Sequence, residues 1–300
     1  MNKLSDSQIG IIYALGAYLI WGFAPIYFKH LEFIPVYEIL AHRVIWSVVV
    51  TALLITYLQH WQDVLQVCRT AKSLLLLTVT SLLISCNWMV FIWAINNEKM
   101  LEASLGYFIN PIVSVILGLV FLSERLSRLK WLAIFLAFIG VVVQAWQLGE
   151  LPWVSLVLPV SFAFYGLLRK KVKVKAITGL FIETMIVLPV AIFYLAFMTH
   201  SETSNLFNNM LSLNLWLMLA GVVTALPLIF FGQAALRLPL STLGFFQYLA
   251  PSLLFIFAVL VYGEPISLIK IFTFACIWLG ILVFVFESKI IKWFKSPTFK

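Results

Sequence analysis

Charge is what this sequence has least of. Only 11% of its 300 residues are Asp, Glu, Lys or Arg, while 63% are hydrophobic, and the mean hydropathy is +1.05. A soluble domain carries roughly 25% charged residues, so water is not the main solvent of this chain. Cysteine is also sparse. Cys68 falls in a polar connection and Cys86 and Cys276 in apolar runs, a scatter that supports neither a disulfide framework nor a metal site. Catalytic signatures are missing as well: there is no HExxH, no Gly-x-Ser-x-Gly, no Walker loop and no Gly-x-Gly-x-x-Gly. His30, His42, His60 and His200 are dispersed, so neither an enzyme nor a bound cofactor is expected.

What is present is a series of apolar stretches, each long enough to cross a ~30 Å hydrocarbon core as a helix. They are continuous runs and not short alternating ones, which excludes a barrel. The fold class expected is all-α integral membrane, with spans at 10–28, 35–57, 73–95, 103–122, 130–147, 152–168, 176–198, 213–236, 241–262 and 268–287. No cleavable signal peptide is expected ahead of the first span. The net charge of +8 does not point to nucleic acid, because the basic residues sit almost entirely between spans. With an inside N-terminus, Lys3, Arg69, Lys72, Arg125, Arg128, Lys130, Arg169, Lys170, Lys171, Lys173, Lys175, Arg237, Lys289, Lys292, Lys295 and Lys300 collect on one side. Lys29, Lys99 and Lys270 face the other, so both termini are assigned to the cytoplasm.

The chain also repeats itself. Ser104-Leu-Gly-Tyr-Phe-Ile-Asn-Pro111, followed by Glu124, Lys130 and Gly140, returns as Thr242-Leu-Gly-Phe-Phe-Gln-Tyr-Leu-Ala-Pro251, followed by Glu264, Lys270 and Gly280. Both copies place the glutamate 13 positions after the proline, and the lysine and glycine 6 and 16 positions after the glutamate. Residues 1–149 and 150–288 therefore read as two homologous halves, with 289–300 as a basic cytoplasmic tail. Five spans per half is an odd number, so the second half enters the membrane from the opposite side. Internal repeats of this kind place a substrate site where the halves meet.

Ionisable residues inside spans are costly and therefore informative. The second span carries Glu38, His42 and Arg43, and the seventh carries Glu183. Arg43 lies too deep to snorkel easily and should face protein or a wet cavity. It is read either as a site for an anionic group or counter-ion, or as a structural bond to carbonyls. Glu183 is the candidate proton carrier, with a structural cap or a partner for Arg43 as equally open roles. Polar and aromatic side chains on other spans are the candidate cavity lining: Tyr18, Trp21, Asn87, Trp88, Phe91, Tyr107, Asn110, Tyr165, Gln233, Gln247 and Tyr248. Aromatic belts and helix packing account for many such rings. The mid-span amides resist that explanation, since a lipid-facing amide would lack partners.

The blocks Ile20-Trp-Gly-Phe-Ala-Pro25, Ala41-His-Arg-Val-Ile-Trp-Ser47, Ser104 to Pro111, Leu122-Ser-Glu-Arg-Leu126 and Phe245-Phe-Gln-Tyr-Leu-Ala-Pro251 resemble the EamA family of the drug/metabolite transporter superfamily, and more closely its RarD group. The resemblance implies ten transmembrane helices in two inverted repeats in a bacterial inner membrane. It also implies a cavity lined chiefly by spans one, three, four, six, eight and nine, with the second and seventh more peripheral. The expected function is secondary transport, outward, of a small organic solute such as an amino acid, metabolite or drug, with proton coupling left open. The alternative is a non-transporting membrane subunit or sensor. The expected partners are a small-molecule substrate and the lipid bilayer, with no nucleic acid and no metal.

Overall fold

The computed structural model describes residues 4–149, 152–199, 201–260, 267–287 and 290–291. Among them every regular element is a helix. Its elements are α1 (Asp6–Lys29), α2 (Val36–Tyr57), α3 (Trp61–Arg69), α4 (Ala71–Asn96), α5 (Met100–Leu122) and α6 (Arg128–Leu148). They continue with α7 (Trp153–Val172), α8 (Ala176–Phe193), α9 (Leu211–Arg237), α10 (Leu240–Phe246), α11 (Leu249–Leu260) and α12 (Leu268–Val285). A π-helical turn, Tyr194–Met198, prolongs α8. Expectations placed on Lys3, His200, Glu264, Lys289, Lys292, Lys295 and Lys300, on the ninth span beyond Leu260 and on nearly all of the tail lie outside the described residues.

Nine helical segments among the described residues are long and apolar enough to cross a membrane, α10 and the start of α11 counting as one. α7, 20 residues long, is not among the nine, and its last turn carries Arg169, Lys170 and Lys171. The short α3 was not expected. Its apolar Val64 and Val67 are buried against α2, α4 and α8, while its polar side faces out, so a nine-residue amphipathic turn lies beside the spans.

Four pairs of helices begin the same distance apart. α2 and α8 start at 36 and 176, α4 and α9 at 71 and 211, α5 and α10 at 100 and 240, and α6 and α12 at 128 and 268, each 140 residues apart. Local chemistry repeats with them. The Ser127 hydroxyl accepts the Lys130 N–H and the Ser267 hydroxyl the Lys270 N–H, both at 3.2 Å, so each copy caps its last long helix in the same way. Where α6 and α12 cross, a Cβ on Gly140 would meet the Thr273 carbonyl oxygen at 3.0 Å, and one on Gly280 the Ala133 oxygen at 2.8 Å. Thr273 and Ala133 are themselves 140 residues apart. Small residues thus let the two backbones approach from both sides.

The packing has the same pattern. α1 lies against α9 as α7 lies against α4; α2 packs on α9 as α8 packs on α4; and α5 packs on α7 as α11 packs on α1. The pairs α2–α8, α5–α10 and α6–α12 join corresponding elements directly.

Polar ties define two ends of the bundle. At one end Arg237 pairs with Asp6 at 3.1 Å, Lys130 with Glu287 at 3.6 Å and Lys175 with Asp63 at 2.8 Å, while the Lys170 ammonium donates to the Leu238 carbonyl at 2.6 Å. We call this the charged end. The hydrogen bond from Lys175 holds the Asp63 carboxyl below the usual carboxylate range, so the tie is complete at neutral pH and is lost as the pH falls through that lowered value. It is exposed and contributes little. At the opposite end the Tyr27 hydroxyl donates to the Trp216 carbonyl at 2.7 Å and the Ser155 hydroxyl to the Glu102 carbonyl at 2.6 Å.

The ninth span is not one helix. α10 stops at Phe246 and α11 starts at Leu249, with Gln247 and Tyr248 donating to carbonyls only three residues back. Pro251 has no N–H to give the Gln247 carbonyl, and its ring crowds that oxygen. α5 carries Pro111 without breaking. The spacing differs: five positions separate Gly106 from Pro111, but seven separate Gly244 from Pro251.

Candidate functional site

Arg43 is the charged side chain best placed to meet a solute. It lies seven residues into α2, about 10 Å from the helix start. Its Nε donates to Thr224 Oγ1 on α9 at 2.9 Å. Its guanidinium carbon lies 4.8 Å from the ring centre of Trp88 on α4 and 5.4 Å from that of Phe28 on α1. The Tyr107 phenol on α5 lies within electrostatic reach, and Phe91 meets the Tyr107 ring edge-on at 5.8 Å. Five helices therefore converge on one cation, and Tyr107 is still 40% exposed there.

Neither Nη of Arg43 makes a hydrogen bond or ion pair among the described residues. Thr224 and the two rings fix the plane of the guanidinium while its outer edge stays free. The resemblance implied a more peripheral place for the second span; from α2 the Arg43 side chain nevertheless reaches α1, α4 and α9, three of the helices expected to line the cavity.

A second polar group lies at the α10–α11 break. Gln247 Nε2 donates to Ser114 Oγ on α5 at 3.2 Å, and Asn110 is one turn from Ser114 on the same helical face. Gln247 also approaches the Tyr18 hydroxyl. The Tyr18 hydroxyl, Asn110 Oδ1 and Gln247 Oε1 are all buried without a protein partner. Three orphan polar atoms on α1, α5 and the break are a place where water or a solute group belongs. The Tyr248 hydroxyl is instead satisfied by the Phe108 carbonyl at 3.3 Å.

Beside this group aromatic rings cluster. Tyr18 and Trp21 of α1 meet Phe162 and Tyr165 of α7 around Phe231 of α9, with centroid separations of 5.2–6.4 Å. Tyr165 and Phe231 are fully buried. Trp21 and Tyr165 are packed into this ring cluster.

Of the remaining candidates, Asn87 and Glu38 tie elements together. Asn87 Nδ2 donates to the Leu158 carbonyl at 2.8 Å and to Ser161 Oγ at 3.0 Å, pinning α4 to α7. Gln233 accepts from Arg237 at the charged end. Glu38 is buried and accepts from Ser201 and from Thr203 at 2.7 Å, anchoring the α8–α9 connection. His42 is buried with neither ring nitrogen bonded.

Glu183 does not face Arg43. Its Oε1 lies 3.6 Å from Arg169 Nη1 and accepts from Thr80 at 2.6 Å, while Tyr165 reaches its Oε2 at 3.4 Å. Arg169 counts as a loop residue in the charge tally because it ends an apolar run. The structure places it inside α7, 2% exposed, above Gly179, where a Cβ would stand 1.8 Å from Nη1. The signal for it was weak: one basic residue among Arg169, Lys170 and Lys171 turned inward. No group of three or more His, Cys, Asp or Glu side chains suited to a metal ion occurs among the described residues.

Comparison with known proteins decides the class. Residues 8–146 match the EamA-like transporter family. The chain is 52% identical over 283 residues to Protein RarD of Salmonella typhi, covering 94% of this chain and 96% of that one. The chain belongs to the RarD group of the EamA-like transporter family. An uncharacterized transporter of Vibrio cholerae is 52% identical over 279 residues, 93% of this chain and 92% of its own. One solved crystal structure superposes with a TM-score of 0.70, covering 94% of this chain and 98% of that one, at 14% identity. That likeness concerns the fold alone. The EamA match covers the first set of repeated helices, α1 to α6, and the 140-residue spacing of helix starts relates α8 to α12 to the same pattern. Membership makes this a multi-pass membrane protein of a transporter family.

Proposed function

We propose that the protein is a secondary transporter that exports a small organic solute across the bacterial inner membrane by alternating access. The observation that carries this is Arg43: a cation with no ion pair and an unbonded donor edge among the described residues, held among five helices of a transporter-family bundle. Without a nucleotide motif, a solute or ion gradient supplies the energy. The architecture in this reading is ten spans, with α7 as the sixth and α10–α11 as the ninth, in two inverted halves at 1–149 and 150–288, followed by the tail 289–300. Equal spacing of helix starts, mirrored packing partners and matched serine caps support the repeat.

The charged end is then cytoplasmic, with both termini there, and the Arg43 side opens outward. A C-terminal reporter should be active on the cytoplasmic side; activity confined to the periplasm would contradict the ten-span reading. Proton coupling enters through Glu183, buried midway along α8. Liposomes holding only this protein should pass solute. A non-transporting subunit would pass none and would copurify with a stable partner.

A further inference from the structure

We infer that Arg43 binds the carboxylate of a small monoanionic solute whose flat apolar body lies against Trp88, Phe28 and Tyr107. This rests on the transport reading above and names the class of substrate its site takes. A guanidinium at this depth needs a counter-charge, because an unpaired cation away from water is costly. The described residues supply none: every acidic side chain that makes an ion pair does so with another base, and Glu183 belongs to Arg169. The buried Glu38 is tied to the α8–α9 connection. The counter-charge is therefore left to something that arrives.

Geometry narrows what that is. Nε is spent on Thr224, so the edge presented by the two Nη groups is the one left for a bidentate partner, and a planar carboxylate matches that edge. Among the described residues the groups in contact with Arg43 are uncharged, so the site offers one positive charge, which suits a single negative charge; a phosphate dianion would bring an unbalanced charge into an apolar bundle. Aromatic faces at 4.8 and 5.4 Å flank the cation, and the Phe91–Tyr107 pair continues the ring surface along α4 and α5. An aliphatic or strongly hydrated anion would leave these rings unused.

The test is isothermal titration of the full chain in lipid nanodiscs with benzoate, with benzamide as the uncharged isostere and with chloride. Benzoate should bind saturably, and benzamide at least about tenfold more weakly, the loss expected when a charge-assisted hydrogen bond is removed. Arg43→Lys keeps the charge but not the fork and should weaken benzoate about tenfold, whereas Arg43→Gln should abolish binding. Thr224→Val, which frees Nε but keeps the cation, should weaken benzoate less than Arg43→Lys. A thermal midpoint close to that of the unsubstituted protein shows that a variant is folded. Equal binding of benzoate and benzamide overturns the inference, as does benzoate affinity unchanged in Arg43→Lys, or chloride displacing benzoate at equal concentration. Benzoate binding without flux in liposomes would leave the site standing and remove the transport reading. Flux of other solutes without benzoate binding would do the reverse.

Discussion

Replacing Arg169 with methionine should destabilise the protein by roughly 3–5 kcal/mol, the cost of stranding one member of a buried ion pair. Glu183 would keep Thr80 and Tyr165 as donors but lose the one charge that faces it among the described residues, in a site where both partners are about 2% exposed. The companion Arg169→Met/Glu183→Gln should recover most of the loss, because it removes both charges and keeps the volume. Gly179→Ala should fall in the same direction as the single variant, since its methyl group would occupy the space of the guanidinium. Thermal unfolding in detergent orders the three. A single variant as stable as the unsubstituted protein would show that the pair carries no weight. The double variant also answers the coupling question without leaving a stray charge: flux down a solute gradient should persist, but a pH gradient should no longer drive it. Gradient-driven transport retained there would take Glu183 out of proton coupling.

Glu124→Gln should loosen the charged end. The Glu124 carboxylate accepts the Leu240 N–H at 2.6 Å and the Ser241 N–H at 3.0 Å, so it ties the segment after α5 to the first turn of α10. Gly118 makes room for it, since a Cβ there would lie 2.7 Å from its Oε2. Pro239 at the start of α10 offers no side-chain cap of its own. An amide in place of the carboxylate loses the charge and turns one acceptor into a donor facing an N–H. Hydrogen bonds to charged groups contribute about 1.5–3 kcal/mol, enough to shift a two-state balance about tenfold or more. In a background with Cys68, Cys86 and Cys276 replaced, a cysteine at position 241, where Ser241 is 2% exposed, should react with a membrane-impermeant maleimide at least about tenfold faster in the glutamine variant. Unchanged labelling would mean that the cap does not hold the charged end shut.

Much of the fold was readable in the chain because spanning a membrane demands long apolar runs, and those are visible residue by residue. The 140-residue offset between Pro111 and Pro251 is also the offset between the starts of four helix pairs. Departures occurred where packing overrides composition. Arg169 looked like a loop charge because it ends an apolar run, yet the absence of a side chain at Gly179 draws it inward. The break at Gln247 was invisible because Pro111, in the same motif, leaves α5 whole. α3 was missed because it is short and half polar.

The candidate site was legible only in pieces. Arg43, Trp88, Phe91 and Tyr107 stood out as costly or bulky residues inside spans, and they do come together. Phe28 and Thr224 carried no signal, because one phenylalanine among 26 or a threonine in an apolar run is ordinary until the helices are placed. Conversely, Gln233 and Glu38 had the right chemistry, but Gln233 accepts from Arg237 one turn on in α9 and Glu38 holds the α8–α9 connection.

The most direct test of the account is counterflow in liposomes that contain only this protein, followed with labelled benzoate. Unlabelled benzoate inside the vesicles should accelerate uptake of the labelled anion, and Arg43→Gln vesicles should show no uptake above protein-free ones. Uptake that ignores the solute on the far side, or that survives the loss of Arg43, would contradict a carrier that exposes one Arg43-centred site to each side in turn.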